Sequence, residues 1–139
     1  QLYMPCDYEQ HYFTLRDDPD RFDDLRRLAI FDLLANNTDR KSGHVLAGSD
    51  GRLWAIDNAL CFHHQFKVRT VIWDFAGEPI GEGPTADMIR LVEDGLSPIL
   101  SGLLATFERD AVLIRARAIV EAGELPADAT GRRVPWPRV

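Results

Sequence analysis

Between Leu28 and Ala35 the chain reads Leu-Ala-Ile-Phe-Asp-Leu-Leu-Ala. A helix that is apolar nearly all round has no face to offer to water, so it belongs at the centre of a domain. Asp17-Asp18-Pro19-Asp20 supplies an acidic cap and a proline suited to a first turn, which predicts a helix from about Pro19 to Ala35. Its first half is amphipathic, with Phe22 and Leu25 set against Asp23, Asp24, Arg26 and Arg27. Asp32 is the one polar residue of the second half, and the helix is expected to end at Asn36-Asn37.

The remaining sequence reads as elements packed around that helix. Residues 1–15 are expected to be extended, broken at Pro5. His44–Ala47 reads as a short strand, Gly48–Gly51 as a hairpin turn and Arg52–Ile56 as the return strand. Val68–Phe75 reads as extended and Gly77–Pro84 as a loop. Thr85 is expected to cap a helix ending near Gly95. Ser97-Pro98 opens another, with Ile99, Leu100, Leu103, Leu104 and Phe107 facing inward. A last helix covers Glu108–Ala122, stopped by Gly123 with Pro126 beyond. The Leu/Ile stripe from Ile99 to Ile119 reads as core packing.

The fold class is therefore mainly α with a small β hairpin. With 139 residues and 45% hydrophobic content, the chain suffices for one domain with a core. No apolar run reaches the roughly 20 residues of a membrane span, so no integral membrane segment and a cytoplasmic location are expected. The net charge of −6 argues against generic nucleic-acid binding. Cys6 and Cys61 read as free thiols.

The chemistry concentrates after the apolar helix. Asn36 to His44 reads Asn-Asn-Thr-Asp-Arg-Lys-Ser-Gly-His, and the hairpin that follows ends on Asp57. Phosphoryl transfer requires one carboxylate to orient the attacking hydroxyl and others to hold a metal ion against nucleotide phosphates. In protein kinases a metal-binding residue stands five positions after the catalytic Asp, and a second metal-binding Asp follows the next hairpin. Here Asp39 precedes His44 by five residues, and Asp57 follows the hairpin. Lys41 stands where a cation could meet the transferred group. His63 and His64, if extended, would point opposite ways, so at most one could join His44.

Asn36 to His44, Asp57 to His63, Lys67 to Val71, Trp73, Ala76 to Pro79 and Pro135-Trp136-Pro137 occur in this order. Together they resemble the catalytic and metal-binding segments of the phosphatidylinositol 3- and 4-kinase superfamily, most closely a bacterial branch of it. The resemblance implies the C-terminal lobe of a kinase-like fold and an ATP-dependent phosphotransferase. Its acceptor would be a lipid, protein or small-molecule hydroxyl, and its cofactors ATP and Mg²⁺, with Mn²⁺ as the alternative. Asp39 and Lys41 would be catalytic, and His44 and Asp57 would hold the metal. Gln1, Leu2, Tyr3, Met4 and Ile56 would lie beside the nucleotide. Residues 1–16 would form the hinge-side connector and 17–62 the catalytic helix, loop and metal-binding hairpin. Residues 63–84 would be an activation-loop-like segment, 85–124 a helical subdomain and 125–139 a tail.

The chain departs from that pattern in three ways. His44 replaces the usual Asn, and imidazole suits Mn²⁺ or Zn²⁺ better than Mg²⁺. Asn58-Ala59 stands where such kinases carry glycine. Nothing before Asp39 resembles an N-terminal lobe, so this chain alone is expected to be inactive and to expose apolar residues around Leu2, Tyr3, Met4 and Phe62. Two rivals follow. One is a non-catalytic kinase-like module that binds nucleotide or a partner. The other is a metal-dependent hydrolase built on His44, Asp57 and a nearby His.

Overall fold

The computed structural model describes residues 3–139. Its first elements are strand β1 (Cys6–Asp7) and helix α1 (Tyr12–Leu15). The extended reading of residues 1–15 is thus corrected over its last turn. Tyr12 and Leu15 lie one turn apart and are both buried. The turn is closed at its start by Thr14, whose Oγ1 accepts from the His11 amide at 3.0 Å. A single turn carries too few residues to show a period.

A 3₁₀ turn (Pro19–Arg21) leads into helix α2 (Phe22–Ala35), and the Asp18 carboxylate accepts from the Asp20 amide at 3.0 Å. The helix is central, as its composition requires. Leu25, Ala29, Ile30 and Leu33 are buried against Val45, Val68, Val71, Ile72, Phe75, Met88 and Ala116. It ends at Asn36, which adopts the left-handed conformation with φ 57° and ψ 50°.

Strands β2 (Val45–Gly48) and β3 (Leu53–Ala55) form the expected hairpin, with Leu46 opposite Trp54. Gly51 takes φ +80° in the turn, a conformation that costs glycine little. β1 pairs antiparallel with β2 and adds a third strand, in the order β1-β2-β3. His44 and Ile56 lie just outside the ladder but remain joined, the Ile56 amide donating to the His44 carbonyl at 3.0 Å.

From Ile56 to Gly81 there is neither helix nor strand, apart from a parallel bridge between Arg40 and Thr70 and an antiparallel bridge between Pro79 and Glu124. Helix α3 (Glu82–Asp94) begins three residues before Thr85. Pro84 sits in its first turn, where no amide donor is needed, so the proline does not mark a loop. Helix α4 (Pro98–Leu103) is capped by Ser97 as expected, and helix α5 (Thr106–Ala122) is stopped by Gly123 in the left-handed conformation. α5 packs on α3 and α2.

The inward face read for Ile99, Leu103 and Phe107 is corrected. Ile99 is 80% exposed and Leu103 77%, and Phe107 and Ile114 are also exposed. α4 is short and its Leu100 is only half-buried, while α5 buries Val112 and Ala116 instead. Among the described residues no helix is long and apolar enough to cross a membrane.

Candidate functional site

Asp32, alone in the apolar half of α2, is fully buried together with Arg40. Its carboxylate accepts from Arg40 Nε at 3.1 and 3.2 Å and from Arg40 Nη2 at 3.0 Å. Asn37 Nδ2 at 3.0 Å and Thr70 Oγ1 at 2.9 Å complete its partners. Burial pushes the Asp32 carboxyl above the usual carboxylate range, and the Arg40 charge is the largest force opposing that rise. A buried pair of this kind contributes little net stability over an apolar one, but removing either partner strands a charge in the interior.

Arg40 does more than neutralise Asp32. Its Nη1 donates to the Ile56 carbonyl at 2.8 Å, and its Nη2 donates to Asn58 Oδ1. These two contacts bracket Asp57. The residue that follows Asp39 therefore holds both neighbours of Asp57. Asp57 itself takes φ 52°, a left-handed conformation that aspartate tolerates better than most residues.

Asp39 lies in a turn whose amide donates to Asn37 Oδ1 at 3.1 Å, and its carboxylate is 3.9 Å from Lys41 Nζ. His44 Nε2 is 3.6 Å from Asp57 Oδ2. The Lys41 amide donates to His44 Nδ1 at 3.4 Å and so links the two pairs. The four charged or polar site residues read from the sequence are thus brought into one chain of contacts.

Tyr3, Met4, Ile56 and Asp57 line a single cleft of about 510 Å³, with Leu46 and Trp54 among its other walls. Three of the five residues expected beside a nucleotide share this cleft; Gln1 and Leu2 lie outside the described residues. Asp39, Lys41 and His44 are not part of its wall. Tyr3 is exposed and Met4 and Phe62 are half-buried, so the expected apolar patch near the N-terminus is carried by Tyr3 together with Tyr8.

Mg²⁺ is the ion that phosphoryl transfer would require at this site. Mg²⁺ is commonly held by one or two carboxylates plus substrate phosphates and water, and the partly exposed Asp57 carboxylate fits that role. His44 fits it less well. Its Nδ1 faces the Lys41 N–H as an acceptor, which leaves the proton on Nε2, the atom turned towards Asp57. That tautomer offers Asp57 a donor and offers a cation no lone pair. Among the described residues no group of three or more His, Cys, Asp and Glu is placed to hold a metal ion, so the hydrolase rival has no three-ligand centre.

The opposed orientation expected for His63 and His64 is corrected. Their rings stack, with centroids 4.6 Å apart and planes 17° apart. The segment is bent rather than extended: Phe62 takes φ 70°, and the Gln65 amide turns back onto His63 Nδ1 at 3.0 Å. Cys6 and Cys61 are both free. Burial, and secondarily the Asp32 charge, push the Cys61 thiol up to about 11.

Sequence reasoning missed Asp32, Asn36, Arg40, Asn58 and Thr70 as the frame of the site. One signal was available. A lone carboxylate in an otherwise apolar helix must find a buried partner, and Arg40 is a cation close by in sequence.

No family model and no solved structure matches the chain. It is similar to Protein Rv2133c of Mycobacterium tuberculosis, with 39% identity over 116 residues. The match covers 81% of this chain, and the chain spans 42% of the length of that relative.

Proposed function

We propose that this chain is the C-terminal lobe of a kinase-like phosphotransferase, of the type its sequence resembles, acting in the cytoplasm on a lipid, protein or small-molecule hydroxyl. The observation that supports it best is the double grip of Arg40 on Ile56 and Asn58. Phosphoryl transfer depends on fixed positioning of a hydroxyl-orienting carboxylate relative to a cation-holding one. Arg40 ties the turn of Asp39 to the turn of Asp57, and its own charge is anchored on Asp32.

In this reading the cleft beside Met4, Ile56 and Asp57 receives the nucleotide. Asp39 orients the acceptor hydroxyl and takes its proton as the acceptor oxygen bonds to the γ-phosphorus and the bond to the departing ADP breaks. Lys41, beside Asp39, supplies positive charge near the transferred group. A Mg²⁺ ion held by Asp57 would neutralise charge on the phosphates. His44 acts by orienting Asp57.

The second reading is a nucleotide-binding module without turnover. It is favoured by the His44 tautomer, which leaves Asp57 as the cation-holding side chain. Turnover of ATP by the full-length natural protein tests both readings. Asp39→Asn should leave nucleotide affinity near wild type and cut turnover by about 10²–10⁴-fold. Wild-type turnover in that variant would remove Asp39 as the base. Nucleotide binding with no turnover in the unaltered protein would select the second reading.

A further inference from the structure

A second cleft, of about 680 Å³, shares no wall residue with the first. Its lining includes Lys67, Arg69, Arg132 and Arg133 and no aspartate or glutamate. The chain as a whole has 22 acidic against 16 basic residues, so this is a local inversion of the overall charge.

The backbone explains how the cations gather. Val68 and Thr70 are buried while Lys67 and Arg69 are exposed, the alternation of an extended segment that sends every second side chain outward. The tail is brought alongside by the Arg133 carbonyl, which accepts from the Thr70 amide at 3.1 Å and from Trp73 Nε1 at 3.0 Å. The Arg133 guanidinium lies 4.9 Å over the Phe66 ring.

Among the described residues, none of the four cations forms an ion pair, although seven pairs of Lys or Arg with a carboxylate occur elsewhere; Asp128, outside the cleft wall, accepts from the Arg133 backbone amide at 2.8 Å. Lys67 Nζ instead lies 3.3 Å from His63 Nε2, an imidazole rather than a carboxylate. Like charges crowded along a concave wall repel one another unless an anion joins them, and a concave wall strengthens the local potential. Arginine pairs with lysine in such places because the guanidinium matches phosphate geometry and the ammonium acts as a point charge.

We infer that this cleft binds a phosphate-bearing group, as a monoester or diphosphate, whether on a soluble molecule or on a lipid headgroup. The inference does not depend on phosphoryl transfer at Asp39.

The test is calorimetry of the 139-residue chain with inorganic pyrophosphate, beside sedimentation with phosphatidylcholine vesicles with and without phosphatidic acid. Two double variants are compared. Lys67→Ala/Arg132→Ala removes two exposed cations of the cleft. Arg27→Ala/Arg117→Ala removes two exposed cations from helices α2 and α5, neither of which lines it. The cleft variant should bind about tenfold more weakly and the control within about twofold of the unaltered chain. Pyrophosphate binding identifies a soluble source, and binding only to phosphatidic acid vesicles identifies a headgroup. Binding to neither probe, or equal losses in both variants, would overturn the inference.

Discussion

Arg40 holds Asp32 through three contacts of 3.0–3.2 Å while both side chains are wholly withdrawn from water. The same guanidinium reaches the carbonyl before Asp57 and the side chain after it. One buried cation thus joins the central helix, the Asp39 turn and the end of the hairpin. Asp32→Asn should destabilise the chain by about 3–5 kcal/mol, because it leaves that cation without its counter-charge. Urea unfolding gives the value. A Asp32→Leu/Arg40→Met double variant should recover much of the loss, and one less stable than Asp32→Asn would show that the hydrogen bonds matter more than the stranded charge.

Asn36 combines a left-handed backbone with donations from Nδ2 to the His63 and Gln65 carbonyls, each at 2.7 Å, and accepts from the Lys67 amide at 2.8 Å. Asn36→Gly keeps the backbone and loses the bonds, which should cost about 2–3 kcal/mol. Asn36→Ala loses both and should cost roughly 1 kcal/mol more. Equal midpoints in a denaturant series would mean that the backbone conformation contributes nothing at this position.

Cys61 should resist alkylation near neutral pH. Its thiol is raised to about 11, so the reactive thiolate is scarcer than in an ordinary cysteine at every pH below that value. In a Cys6→Ser background, the iodoacetamide rate should climb about tenfold per pH unit until it levels near pH 11. A plateau at pH 9 would contradict the burial argument.

Under the phosphotransferase reading, the 139-residue chain should bind Mg²⁺-ATP weakly, since Asp57 is a single, half-exposed carboxylate beside an open cleft. Asp57→Asn should abolish what binding there is, whereas His44→Ala should reduce it by no more than about threefold, its effect passing through the Asp57 position. Calorimetry separates the two. Micromolar affinity for the chain alone would mean that no further lobe is needed to complete the site.

The central helix, the hairpin and the stop at Gly123 were legible because each rests on local rules: a run apolar but for Asp32, a Gly-rich turn and a left-handed cap. His44 and Asp57, read from their spacing as joint metal ligands, lie 3.6 Å apart, while Lys41, read as facing the transferred group, lies 3.9 Å from Asp39. What lay beyond the sequence was set by long-range packing. Whether Ile99 and Leu103 face the core depends on where α3 and α5 leave room, which periodicity does not encode. The stacking of His63 on His64 depends on a bend at Phe62 whose backbone is anchored on Ala35, its amide donating to the Ala35 carbonyl at 2.6 Å. The role of Arg40 needed Ile56 and Asn58 to be neighbours in space.

The irregular stretch after the hairpin is shaped by groups at the end of α2 and in the turn that follows. Phe62 donates its amide to the Ala35 carbonyl, Lys67 to Asn36 Oδ1, Arg69 to the Asn37 carbonyl and Val71 to the Arg40 carbonyl. A segment with no ladder of its own cannot order before the helix end to which it is pinned. These four amides should therefore exchange with deuterium at one common rate, set by a single opening of the helix end with the whole stretch. In Asn36→Gly they should all speed up together, while amides in the middle of α5 keep their slower clock.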